Sequence, residues 1–160
     1  AGRSAAALSA RFPHSDITAE AEALSRRLTV GEGTRLNESE LSQRQRSLAA
    51  AMWDFLGIVR HANGLAAGLT HVCDLAAELE ARGPAIGWRA VRAWFELRAL
   101  CDTALLSLTA ALERRESRGA HYRADFPKLE DARWLGSLRL VRSTEGVVET
   151  TFVSGQREAA

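Results

Sequence analysis

Leu65, Leu69, Val72, Ala76 and Leu79 step along the chain by four, three, four and three residues. That interval keeps apolar side chains on one narrow stripe of an α-helix, the seam by which a helix joins a bundle. A strand cannot use it, because strand side chains alternate between faces. The stripe predicts a helix over about 62–82. Gly83-Pro84 ends it with a turn, since proline cannot continue a helix and glycine accepts unusual backbone angles. Two flanking stripes have the same character. Leu41, Leu48, Met52, Phe55, Leu56 and Val59 predict a helix over about 38–60. Asn37 is its expected N-cap, and Glu40 three residues on completes a capping-box pattern. Trp94, Leu97, Cys101, Leu105, Leu108 and Leu112 predict a third helix over about 88–115, with Leu100, Ala104 and Ala111 widening its apolar face. A face that wide predicts contact with more than one neighbour. Asn63 and Gly64 are expected to kink or break the chain between the first two helices.

Three helices joined by short connections pack as an antiparallel up-down-up bundle. The expected class is therefore all-α, a spectrin-repeat-like three-helix bundle over 38–127. Residues 1–37 are expected to be a helical and linker segment. An Ala-rich helical stretch over 1–12, with Arg3 and Arg11, stops at Pro13. A polar connection follows, with a short helix over Thr18–Leu28 and a loop at Gly31 and Gly33. So abrupt an opening suggests a piece of something longer. Residues 128–160 form an irregular tail or small β-hairpin. Leu138–Arg142 and Val147–Val153 are rich in β-branched residues, and Glu145-Gly146 can turn between them. Two strands alone are marginal in water, so the hairpin must lean on the bundle or on a partner.

Composition narrows the function classes. A 160-residue chain can bury roughly 70% of its unfolded surface without staples. The formal net charge of +1 gives no field that would draw nucleic acid or an acidic membrane. Lys128 is the only lysine among 21 basic residues; the arginine excess reads either as bidentate anion recognition or as a coding bias. Cys73 and Cys101 are expected on apolar helix faces as small core residues, which implies a reducing compartment, the cytoplasm. Nothing has the length and flanks of a signal peptide or a membrane span.

No glycine-rich dinucleotide turn, phosphate loop, serine elbow or zinc spacing occurs. His61 and His71 lie ten residues apart, too far to share one helix face as ligands, and are expected to be surface or partly packed side chains. The one ordered polar constellation is Arg114-Arg115-Glu116-Ser117-Arg118-Gly119-Ala120-His121-Tyr122-Arg123-Ala124-Asp125-Phe126-Pro127. Two readings stand side by side. Arg118, His121 and Arg123 could hold a dicarboxylate or phosphate, with His121 as an acid or base. Alternatively Glu116 and Asp125 pair with the arginines, Gly119 takes a left-handed helix cap, and the run fixes how the chain leaves the bundle. Trp53, Trp88, Trp94 and Trp134 are large anchors for a core or an interface. Trp53 lies beside the main stripe of its helix and is a candidate for an interface beyond the bundle.

The run at 114–127 resembles the R-x-E-S-R-G-x-H segment, followed by D-[FY]-P, of the C-terminal helical domain of the succinate dehydrogenase/fumarate reductase flavoprotein family. Arg114, Glu116, Ser117, Arg118, Gly119, His121, Asp125, Phe126 and Pro127 carry the match. Met52-Trp53-Asp54-Phe55-Leu56-Gly57-Ile58-Val59-Arg60 is most similar to the L-aspartate oxidase branch. Glu96-Leu97-Arg98-Ala99-Leu100 resembles its E-L-R-N-L segment, with Ala99 where asparagine is usual. The resemblance covers about residues 38–135.

It implies a parent enzyme with an FAD-binding domain, a capping domain and this helical domain, which oxidises L-aspartate to iminoaspartate for quinolinate and NAD synthesis. The resemblance places the catalytic and FAD-binding residues upstream, so none is expected among these residues, nor any metal. The implied role is to brace the FAD and capping domains. Arg114, Glu116, Arg118, His121, Arg123, Asp125, Trp53 and Arg60 are the docking candidates. Self-association through the docking face is also expected. The alternatives are the matching domain of a succinate dehydrogenase or fumarate reductase flavoprotein, and a stand-alone helical interaction module.

Overall fold

The computed structural model describes residues 35–142 and 148–155. The expected helices over 1–12 and Thr18–Leu28, the Gly31/Gly33 loop and the Glu145-Gly146 turn lie outside the described residues. Three long helices carry the fold: α1 (Glu38–Leu56), α2 (Ala62–Arg82) and α3 (Trp88–Glu113). Each packs against the other two. Between α1 and α2 lies the short strand β1 (Val59–Arg60). After α3 come β2 (Tyr122–Arg123), one helical turn α4 (Asp131–Trp134), and the strands β3 (Gly136–Arg142) and β4 (Val148–Ser154). The described part is thus mostly helical with a small strand component, made of the expected C-terminal hairpin and of the β1–β2 pair, which the sequence does not announce. Among the described residues no helix is long and apolar enough to cross a membrane.

The start of α1 follows its sequence. Asn37 Oδ1 accepts from the Glu40 N–H at 3.0 Å, and Glu40 Oε2 accepts from the Asn37 N–H at 2.9 Å, a complete capping box. Its end does not. The helix stops at Leu56, and Val59 is exposed rather than on the core face. Gly57 leaves the helix, and Val59-Arg60 pairs in parallel with Tyr122-Arg123. That partner is far off in sequence, so no local pattern announces it.

α2 runs as expected, but Asn63 and Gly64 lie within its first turn instead of breaking the chain. His61 caps it, with Nδ1 accepting from the Gly64 N–H at 2.8 Å. Gly83 follows at φ 63° and donates its N–H to the Leu79 carbonyl. The same turn holds the chain ahead of α1: Leu36 N–H donates to Gly83 O, and Ala85 N–H to Leu36 O.

The core is the intersection of the three stripes. Leu41 and Leu48 of α1, Leu65, Val72 and Leu79 of α2, and Trp94, Leu97, Cys101 and Leu108 of α3 are buried. Each buried leucine stabilises by about 1.5–3 kcal/mol relative to exposure. Trp94 is almost wholly buried, and its indole N–H donates to the Leu79 carbonyl at 2.8 Å, satisfying its polar atom. Gly68 lets α2 come close: a Cβ there would lie 2.9 Å from both Leu108 Cδ2 and Phe55 Cβ. Besides Val59, two stripe assignments change. Leu100 is exposed, and Cys73 is exposed because it stands one residue off the seam. Cys101 is buried as expected, which pushes its thiol up to about 11.

β3 and β4 form the expected antiparallel hairpin, with Gly136 opposite Ser154 and Arg142 opposite Val148. It leans on the end of α3. Trp134 is buried, Phe152 meets it edge-on at 5.7 Å, and Arg114 lies 5.6 Å from its ring centroid. Arg114 also donates to the Trp134 carbonyl at 3.1 Å and to the Gly136 carbonyl at 2.7 Å.

Candidate functional site

The end of α1, the start of α2 and the end of α3 meet at one corner, and the 114–127 run fills it. α3 ends with Arg114 as its C-cap residue, leaving carbonyls without intrahelical partners. Arg123 supplies the missing donors. Its Nη1 donates to the carbonyls of Ala111 at 2.7 Å, Leu112 at 3.0 Å and Arg114 at 3.2 Å. A guanidinium suits this place twice over, as a multiple donor and as a cation at the negative end of the helix. Its other edge grips Asp125 with two bonds of 2.8 Å. Asp125 Oδ2 also accepts from the Ala62 N–H at 3.0 Å, at the positive end of α2. The Arg123 guanidinium beside it, then that N–H, hold the Asp125 carboxyl well below the usual range.

Glu116 is the second buried charge. It accepts from Arg114, from Arg118 Nε at 2.8 Å and Nη2 at 3.0 Å, and from the Glu130 N–H at 3.0 Å. Burial alone would raise its pKa. Arg118, the Glu130 amide and Arg114 outweigh that and lower it to about 2. Arg118 in turn reaches Asp131 at 2.5 Å, and its own pKa is raised, chiefly by Glu116 and then by Asp131. Ser117 Oγ accepts from the Arg123 N–H at 2.9 Å and donates to the Phe126 carbonyl at 2.9 Å, folding the run back on itself.

His121 is read by its partners. Nε2 lies 3.2 Å from the Arg114 carbonyl, and Nδ1 lies 3.1 Å from Arg60 Nη1. A carbonyl only accepts and a guanidinium only donates, so the ring is neutral with its proton on Nε2. Burial pushes its pKa down, and the nearby Arg60, Arg123 and Arg114 act the same way against the Arg114 carbonyl. Arg60 completes the corner: Nε donates to the Leu56 carbonyl at 3.0 Å and Nη1 to the Ala120 carbonyl at 3.2 Å.

Gly119 has the expected left-handed backbone, φ 56°, but it does not cap α3. It sits in a tight turn closed by Arg118 N–H to His121 O at 2.8 Å and His121 N–H to Arg118 O at 3.0 Å. The anion-pocket reading of Arg118, His121 and Arg123 loses its donors, because the two guanidinium forks are filled by Glu116 and Asp125. The pairing reading is what the structure holds. Of the docking candidates, Arg114, Glu116, Arg118, His121, Arg123, Asp125 and Arg60 come together here. Trp53 stands on the α1 surface nearby, 71% exposed, lining a groove with Arg60 and Ala120. Sequence reading missed Asp131 and the hydroxyl of Ser117; Asp131 is thirteen residues from Arg118, with no periodicity to link them.

The molecule is thus a mostly helical domain whose helix ends are clasped by one buried, charge-paired turn. Residues 45–153 match the family described as fumarate reductase flavoprotein C-term, and the chain belongs to that family. Among its relatives is an uncharacterized FAD-dependent oxidoreductase of Methanocaldococcus jannaschii, 34% identical over 57% of this chain and 16% of that protein. L-Aspartate oxidases of Rhodospirillum rubrum (40% identical, 53% of this chain, 26% of that protein) and Oryza sativa (36%, 57% and 15%) are similar as well. The chain therefore spans between about a seventh and a quarter of these relatives. The fold is shared with Escherichia coli quinol fumarate reductase, at TM-score 0.70 and 18% identity over 93% of this chain and 26% of that one. It is shared with an adenosine-5-phosphosulfate reductase at TM-score 0.65 and 21% identity over 77% and 20%.

Proposed function

We propose that this chain is the non-catalytic C-terminal domain, an antiparallel three-helix bundle with a hairpin extension, of a cytoplasmic FAD-dependent L-aspartate oxidase. In the whole enzyme, the flavin would accept hydride from L-aspartate to give iminoaspartate, feeding quinolinate and NAD synthesis. The flavin and the substrate groups would belong to other parts of the polypeptide. This domain braces those FAD-binding and capping parts. The observation that carries the reading is the corner itself: Glu116 is taken up by Arg114, Arg118 and the Glu130 N–H, and Asp125 and Arg123 by one another and by helix ends, which suits a rigid support and leaves no free acid–base pair there among the described residues.

The named aspartate oxidases favour this substrate, and the fold shared with quinol fumarate reductase favours a second reading, the same domain of a succinate dehydrogenase or fumarate reductase flavoprotein. A stand-alone helical interaction module is the remaining alternative. Flavin bleaching in the full-length protein separates them. We expect anaerobic bleaching by L-aspartate and none by succinate. Bleaching by succinate alone would transfer the domain to the second reading, and a full-length protein without flavin would leave only the third. The 1–160 chain alone should purify colourless and leave aspartate unchanged.

A further inference from the structure

Arg60 differs from the other guanidiniums of the corner. Arg114, Arg118 and Arg123 each meet a carboxylate. Among the described residues Arg60 meets none; its three bonds go to the carbonyls of Leu56 and Ala120 and to neutral His121. All of them use Nε and Nη1, so Nη2 is left without a hydrogen bond among the described residues. Its partial burial costs hydration that no carboxylate among the described residues offsets, and its pKa is lowered by that desolvation.

The same guanidinium lies at the edge of a groove of about 530 Å³. The walls are apolar: Met52, Trp53, Leu56, Ile58 and Ala120. Ile58 is 72% exposed, and Val59 and Tyr122, paired across β1 and β2, are exposed as well. Tryptophan and arginine are among the residue types most enriched at binding hot spots. A scattered exposed apolar residue needs no cover, whereas a groove walled by an exposed tryptophan and an exposed isoleucine is a stronger mark of a binding site.

We propose that the Trp53–Arg60 groove is a docking seat for one segment of the longer flavoprotein chain, whose apolar side chain fills the groove and whose neighbouring carboxylate pairs with Arg60 Nη2. This rests on the bracing role proposed above and states which face does the bracing. The occupant is fixed by charge. At its polar end the seat presents the open Nη2 edge of Arg60, so the segment brings Asp or Glu within a residue or two of its apolar anchor. Partial burial makes the pair specific, because either charge left without the other would be stranded.

Photo-crosslinking in the full-length protein tests this. p-Benzoylphenylalanine replaces Trp53 in one sample and, as a distant control at the start of α3, Trp88 in another. The expected product from position 53 is an intramolecular crosslink to a peptide with Asp or Glu within two positions of the joined residue. Changing that acid to its amide, in a protein whose own corner is untouched, should lower the crosslink yield by about tenfold. A crosslink to a second copy, a peptide without an acid, or an unchanged yield after the amide substitution would each overturn the seat. Silence at position 53 with intramolecular crosslinks from position 88 would sink the seat and keep the bracing role. Silence at both positions would sink both.

Discussion

Arg123 and Asp125 share two 2.8 Å bonds, and each also holds a different helix end: Arg123 the last carbonyls of α3, Asp125 the first N–H of α2. One ion pair thereby joins two helix termini of opposite dipole sign. Each partner fills a role that water would otherwise take.

Removing Arg123 strands Asp125 and the α3 carbonyls together. We expect Arg123→Met to lower stability by about 3–5 kcal/mol. Arg123→Lys should recover little of that, because an ammonium cannot span three carbonyls and a bidentate carboxylate. Urea denaturation of the two variants checks both statements. A lysine variant as stable as the parent would show that charge alone, and not the guanidinium fork, holds the corner.

Acid should loosen the corner in two steps. The folded state keeps His121 below its ordinary 6.5, so as pH falls below 6.5 the unfolded chain takes up a proton that the folded one resists. More protons on the unfolded side mean that stability falls with pH. The loss is absent well above 6.5, and His121→Gln should flatten it. Denaturation midpoints at about pH 7.5 and about pH 5.5, for parent and variant, give the comparison.

Glu116 governs a lower window. Its folded pKa of about 2 lies below the ordinary 4.5, so its contribution is complete above 4.5 and disappears as pH falls toward 2. Glu116→Gln should remove that part of the acid transition and destabilise the protein at neutral pH. A pH titration of the circular-dichroism signal reads both.

Gly68 sets the spacing of α2 against α1 and α3. Gly68→Ala gains roughly 1 kcal/mol in helix propensity. The added Cβ collides with Phe55 Cβ, which cannot swing away as the tip of Leu108 can. Overpacking of this kind costs about 1–3 kcal/mol, so the net change is destabilising. Gly68→Val should be worse. Thermal melts of the two variants give the order.

Trp94 and Trp53 should respond differently to substitution. Trp94→Phe leaves a smaller ring in the core and removes the bond to the Leu79 carbonyl, at a cost of about 1–3 kcal/mol. Trp53→Ser, at an exposed position, should change the stability of this chain by less than about 0.5 kcal/mol. A large loss from Trp53→Ser would mean that the groove belongs to the core.

The sequence by itself determined the three long helices, the capping box at Asn37, the course of α2 and the hairpin of β3 and β4. Those features depend on neighbours a few residues apart, where side-chain period and local capping act. It also singled out the 114–127 run and the pairing of Glu116 and Asp125 with its arginines. Only the tertiary structure decided that α1 yields to a strand after Leu56, because β1 exists through Tyr122 and Arg123. It likewise decided that Gly119 serves a turn, that Arg123 rather than a glycine caps α3, and that Arg60 meets carbonyls and an imidazole. Those outcomes depend on which chain ends the packed helices bring to one corner, and contacts between distant residues leave no period in the sequence.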